Sequence, residues 1–183
     1  MGDPVALRST VRKAIDAEIP NLAPENSQQI QFRILSPLAE GADRAVAQAV
    51  LEYPGAQLDA VLPLAVEDYL EDFATEESKR EFRGLLALSS QPVRLRTQRI
   101  VEESRNGGDP TEMRLDAYQL AGQYVVDHCD VLIAIWDGEP ARGRGGTAEI
   151  VQYATAHNRP VIRVWKDAFE VLHQQSRNEK LEK

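Results

Sequence analysis

The sequence predicts an α/β fold built on an open, mostly parallel sheet with helices on both faces. Val131 to Trp136 is a short apolar run without polar alternation, the pattern of a strand covered on both sides. A glycine-rich turn, a helical segment and a second apolar run ending at Trp165 follow it without interruption. The same strand, loop and helix order occurs earlier, from Ile30 through Gly41 to Tyr53.

Val5, Leu7, Val11, Ala14, Ile15 and Ile19 recur at helical spacing between Pro4 and Pro20, so Asp3 to Ile19 reads as an amphipathic helix. Asn21 to Gln29 is a polar connector. Ile30 to Leu35 is a strand, and Ser36-Pro37 with Gly41 forms the loop into a helix from Ala42 to Tyr53. Pro54-Gly55 is a turn signal, and Leu58 to Leu64 is the next strand. Ala65 to Ser89 is helical in composition. Its acidic set, Glu67, Asp68, Glu71, Asp72, Glu76, Glu77 and Glu81, reads as a solvated face opposite Leu70, Phe73, Phe82, Leu85 and Leu86.

Pro92 to Arg96 is a short edge strand, and Glu102 to Thr111 is a loop, either a lid or a surface excursion. Glu112 to His128 returns to helical spacing and feeds the strand at Val131, with Arg114 and Tyr118 on one face. Ala168 to Lys183 is expected to form a terminal helix with a frayed charged end.

A chain of 183 residues suits a single domain with a real core, although the reading leaves open that it is a fragment of a longer protein. The formal charge of −8 argues against nucleic acid as principal partner, because a phosphate backbone needs a basic face. The single cysteine, Cys129, excludes an internal disulfide framework, and no signal-like segment opens the chain, so the expected location is cytoplasmic. No apolar run approaches the ~20 residues of a membrane span. His128, Cys129, His157 and His173 show no metal-ligand spacing and no Cys-His nucleophile pair, so no metal and no cofactor is expected.

The functional candidates gather at the two strand-to-helix loops. In the second, Arg142, Gly143, Arg144, Gly145, Gly146 and Thr147 precede a helix expected to begin at Ala148 and to be capped by Thr147. Free amides and the helix dipole make such a turn a cradle for phosphate or carboxylate, and Arg142 or Arg144 either adds charge-assisted hydrogen bonds or is a solvated loop residue. Asp137 and Gly138 end the buried strand; the Asp137 carboxylate either binds a ribose or holds the turn through an Asx hydrogen bond. Glu149 is read as a ribose contact, a dipole complement or a general acid or base. In the first loop, Ser36, Gly41, Asp43 and Arg44 are candidates, with Arg44 either neutralising a phosphate or forming an ordinary solvated pair with Asp43.

Two blocks together, SPLAEGADRAVAQAVLE from Ser36 to Glu52 and DVLIAIWDGEPARGRGGTAEIVQYA from Asp130 to Ala154, resemble the SLOG superfamily of Rossmann-like nucleotide-binding domains. That superfamily includes the Lonely Guy phosphoribohydrolases and DprA. The resemblance, spanning most of Ile30 to Trp165, implies a three-layer Rossmann-like sheet with a ligand site between the Ser36–Arg44 and Gly143–Glu149 turns. Relatives commonly open with a central strand ahead of the first helix. This chain begins at that helix, so the family's first strand is expected to be missing, leaving a gap or rearranged pairing. The phosphoribohydrolases carry a catalytic glutamate three residues after the motif threonine, where this chain has Ile150. Glu149 lies one residue earlier, turned by about 100° on the helix.

The expectation is therefore a binding or sensing domain for a small nucleotide or nucleotide-derived ligand, as a homo-oligomer or fused to an effector. Its rivals are an N-glycosidic hydrolase or transferase of the phosphoribohydrolase or deoxyribosyltransferase type, and a non-catalytic scaffold.

Overall fold

The computed structural model describes residues 4–22, 30–90, 92–95, 107, 109–140 and 145–172. Among these the chain forms α1 (Pro4–Leu22), β1 (Arg33–Ser36), α2 (Ala42–Leu51), β2 (Gln57–Leu62), α3 (Val66–Leu70), α4 (Glu76–Leu88), β3 (Val93–Arg94), α5 (Pro110–His128), β4 (Leu132–Ile135), α6 (Thr147–Ala156), β5 (Val161–Trp165) and β6 (Ala168–Leu172). The fold is α/β, with two small, mostly parallel sheets.

One sheet has the order β1-β2-β3, all parallel, with Arg33 opposite Gln57 and Val61 opposite Val93. The other has the order β4-β5-β6, in which β4 and β5 are parallel and β6 is antiparallel. No described pairing joins β1 to β4.

Side-chain packing nevertheless ties the two sheets together. Leu58, Ala60 and Leu62 of β2 pack with Ala47 of α2 and Phe82 and Leu85 of α4. The residue between them on β2, Val61, points the other way and joins Ala121 and Val126 of α5, Leu132 and Ala134 of β4, and Val151 of α6. A third cluster brings Val11, Ala14 and Ile15 of α1 against Val46, Ala49 and Val50 of α2 and Ile162 and Val164 of β5. Strand alternation thus sends successive residues into different clusters, and each buried Val or Leu contributes about 1.5–3 kcal/mol.

Several boundaries differ from the sequence reading for identifiable reasons. The first helix runs through Pro20 to Leu22, with the Asn21 side-chain amide donating to the Ala17 carbonyl at 3.0 Å. The stretch from Ala65 to Ser89 is two helices, because the Thr75 hydroxyl accepts the Ser78 amide at 3.1 Å and starts a new one. Asp109 caps α5 by accepting the Thr111 amide at 2.9 Å, so that helix starts at Pro110, and most of the expected loop before it lies outside the described residues.

The expected terminal helix is corrected: Ala168–Leu172 is a strand. Lys166, at φ 54°, begins a two-residue reversal, after which Phe169 and Val171 alternate into the cluster around α1. The edge of β5 and that apolar face outweigh helix propensity. Residues 173–183 lie outside the described residues. No described helix is long and apolar enough to cross a membrane.

Helices α5 and α6 pack closely at Gly122. A Cβ at Gly122 would stand 2.4 Å from Ile150 Cδ1, so the absence of a side chain there sets the spacing of the two helices. Gly122→Val is expected to lower unfolding free energy by about 1–3 kcal/mol through overpacking, measured by urea denaturation.

Candidate functional site

One cavity, of about 1010 Å³, receives residues from both predicted loops. It is lined by Ser36, Ala39, Glu40 and Asp43 at and after the end of β1, by Gly145, Gly146 and Thr147 from the turn before α6, and by Asp72 and Tyr118. Residues of β1, β4, α1, α2, α5 and α6 complete its lining.

The first loop is held by its own polar groups. Ser36 Oγ accepts the Leu38 amide at 3.1 Å, and an Asp43 carboxylate oxygen accepts the Ala39 amide at 3.3 Å. Leu38 sits at φ 59° with its side chain fully buried, so packing holds a backbone conformation that would otherwise cost about 1–3 kcal/mol. Gly41, at φ 91°, precedes α2 and offers it no side-chain cap.

Arg44 turns away from the cavity. Only 1% exposed, it donates to the Leu38 carbonyl at 3.0 Å, to the Ser78 carbonyl and hydroxyl at 2.9 and 2.8 Å, and to Glu81 at 2.9 Å. Its guanidinium lies 4.3 Å from the Phe73 ring centroid. It joins α2 to α4.

Asp43 stays in the cavity wall, and withdrawal from solvent pushes its carboxyl up to about 6, against the lowering effects of the Ala39 amide and Arg44.

The second turn is similarly self-contained. Gly145 takes φ 73°, and a Cβ there would lie 3.0 Å from the Gln119 amide nitrogen, so α5 passes directly against the bend. The expected cap moves by one residue: α6 begins at Thr147, Gly146 is its N-cap without a side-chain hydrogen bond, and the Thr147 side chain is exposed. Glu149 reaches back, accepting the Gly145 amide at 2.6 Å and the Gln119 side-chain amide at 2.8 Å. Its carboxylate complements the α6 dipole. Arg142 and Arg144 lie outside the described residues.

The cavity therefore brings together Ser36, Asp43, Gly145, Gly146 and Thr147, while Gly41, Arg44, Asp137, Gly138 and Glu149 do not line it. An Asp137 carboxylate oxygen accepts the Glu139 amide at 3.0 Å, the Asx arrangement that closes its turn. Arg163 donates to the Trp136 carbonyl and stacks over its ring, beneath Gly138.

Asp72 was hidden within the acidic run. It follows α3, in the break before the Thr75 cap, and accepts hydrogen bonds from Arg114 at 2.6 Å and from the Tyr118 hydroxyl. Burial, then Asp72, pushes the Tyr118 hydroxyl up to about 12. The same-face placement of Arg114 and Tyr118 was legible in the sequence; their acidic partner was not.

Burial also pushes the Cys129 thiol up to about 11, which disfavours the nucleophilic thiolate. His128 and His157 each contact the carbonyl of a tyrosine four residues earlier, at 2.8 Å, and pack against that tyrosine's ring. Among the described residues no three His, Cys, Asp or Glu side chains are grouped as a metal would require.

No protein-family model and no curated protein matches the chain.

The Asp43 carboxyl makes stability depend on pH in a defined direction. Between its ordinary value of 3.8 and about 6, the folded state retains a proton that the unfolded chain has released. Raising the pH through that window therefore lowers stability, with a plateau above it. Asp43→Asn is expected to raise unfolding free energy at pH 7 by on the order of 1–3 kcal/mol and to remove this part of the slope, measured by denaturation at a series of pH values.

Proposed function

We propose that the chain binds a small nucleotide or nucleotide-derived ligand at the mouth of the cavity, with its phosphate between the amino ends of α2 and α6. The observation that carries this reading is the convergence of two strand-to-helix turns, both with glycine N-caps lacking side-chain hydrogen bonds, on one cavity. Uncapped first-turn amides and the positive ends of two helix dipoles favour an anion, and open parallel sheets take ligands beyond the carboxyl ends of their strands. A volume of about 1010 Å³ accommodates a ligand of nucleotide size.

The same reading treats the two sheets as parts of one three-layer Rossmann-like unit of the SLOG type, interrupted where a first, central strand would stand. Its support is that α2 packs against β1, β2 and β4 alike, and that α5 and α6 share one cluster with residues of both sheets. Sensing rather than turnover is favoured by the engagement of Glu149 within the protein. An N-glycosidic hydrolase or transferase is the second reading, favoured by Asp43, whose carboxyl holds its proton up to about pH 6 inside the cavity. Release of free base from nucleoside monophosphates, abolished in Asp43→Asn, is the result that would establish it.

Calorimetric titration with a panel of nucleotides, cyclic nucleotides and NAD-derived molecules is expected to give saturable binding, and ligand at one hundred times its dissociation constant to add about 2.7 kcal/mol of stability. Thr147→Glu places a carboxylate at the first position of α6, where it complements the dipole and fills the anion position. It is expected to leave the unliganded melting temperature unchanged or higher while weakening binding at least about tenfold. Absence of saturable binding across the panel at about millimolar ligand would overturn the reading.

A further inference from the structure

We propose that the anion position is gated by a proton on Asp43: the ligand is taken up together with that proton and is released as the pH rises. The inference rests on the nucleotide reading above and adds to it how the same site is regulated.

Asp43 stands in the first turn of α2 and shares the cavity wall with Gly145, Gly146 and Thr147. An anion held between the amino ends of α2 and α6 therefore lies beside this carboxyl group. One of its oxygens accepts the Ala39 amide at 3.3 Å, which fixes the side chain against the loop. Arg44, the adjacent cation, is engaged elsewhere, by the Leu38 carbonyl, Ser78 and Glu81. A carboxylate withdrawn from water and answered by one amide holds its proton more strongly than an exposed one, and Asp43 holds it up to about 6.

The other charged groups around α2 have partners of their own. On α1, Arg8 donates to Gln48 and Arg12 to Glu52. Arg33 of β1 pairs with Asp59 of β2, and β4 carries no ionisable side chain. Glu81 of α4 accepts from Arg44 and Gln48. Burial, then Asp43, pushes the hydroxyl of Tyr69 on α3 up, so it stays protonated. Asp72 accepts from Arg114 and Tyr118 of α5, and Glu149 of α6 accepts the Gly145 amide. Glu40, exposed on the loop that precedes α2, serves as the control acid.

With Asp43 ionised, an incoming phosphate meets a like charge at the helix end whose dipole attracts it. With Asp43 neutral, the dipole and the first-turn amides act unopposed. By linkage, a ligand that prefers the protonated form raises the pKa of that group, and binding draws in a proton. Affinity is then flat below the midpoint of the free protein and weakens about tenfold per pH unit above it, until the complex itself loses the proton. Affinity and stability fall in the same direction, because the same group carries both.

The test uses the whole chain, with the 5′-monophosphates of adenosine, guanosine, cytidine and uridine titrated calorimetrically between about pH 5 and about pH 8. Dividing the wild-type dissociation constant by that of Asp43→Asn cancels the titration of the phosphate, since both proteins meet the same ligand. Asparagine also keeps an oxygen for the Ala39 amide. The expected ratio is close to one at about pH 5 and at least about ten at about pH 8, and Glu40→Gln keeps the wild-type profile. A second measurement needs no variant: the midpoint of the Asp43 carboxyl carbon resonance should rise by at least about one pH unit at saturating nucleotide. A ratio that stays flat, a pH profile abolished by Glu40→Gln, weaker binding by Asp43→Asn at about pH 5, or an unmoved midpoint would each overturn the gate while leaving nucleotide binding in place. No binding of any of the four probes at about pH 5 would remove the nucleotide reading and the gate with it.

Discussion

The molecule depends on the burial of α2. Arg44, Ala45, Val46, Ala47, Ala49 and Val50 are all buried in a helix of ten residues. Small side chains allow it to lie close to neighbours on several sides, which is why alanine recurs along it. Ala47 faces the β2 and α4 cluster, and Val46, Ala49 and Val50 face α1 and β5. With no described hydrogen-bond ladder between the two sheets, their relation is set by side chains, and α2 supplies many of them. Arg44 strengthens this by bonding to the loop before α2 and to α4 after it. Removing a buried cation with four acceptors would strand those acceptors as well as lose the ion pair.

Much of the architecture was legible because apolar period and punctuation agreed. Val131 to Trp136 has no polar residue, and Leu132–Ile135 within it is a strand with a parallel partner, although only Leu132 and Ala134 are buried and Ile133 and Ile135 are half-buried; the strand, loop, helix order appears twice where glycine and apolar spacing coincided. The misses occurred where local chemistry competes with composition. Thr75 looked like one polar residue within a helical stretch, yet its hydroxyl starts a new helix. Ala168 to Leu172 is too short to show a period, and its strand state is imposed by the free edge of β5, a fact about distance in space rather than about neighbours in sequence.

The site was legible to a lesser degree and for the same reason. Glycines, and the serine and aspartate of the first loop, marked where the chain turns, and Ser36, Asp43, Gly145, Gly146 and Thr147 do meet at one cavity. The direction of each side chain was not readable. Arg44 and Asp43 are adjacent, but successive helix residues point about 100° apart, so one enters the core and the other the cavity. Asp72 lay among acidic residues whose identical composition gave no reason to separate it, and only the approach of Arg114 and Tyr118 from a distant helix distinguishes it.

The contact between Glu149 and the Gly145 amide has a wider consequence. The bend carries its own resident carboxylate, tethered four residues away and therefore present at high effective concentration. An external anion seeking that amide competes with an intramolecular rival, and the net gain is a difference between two similar bonds. Weakly charged solutes would be screened out, while a dianion with several acceptor oxygens could evict the carboxylate. Eviction would also release Gln119, giving α5 a direct report of occupancy.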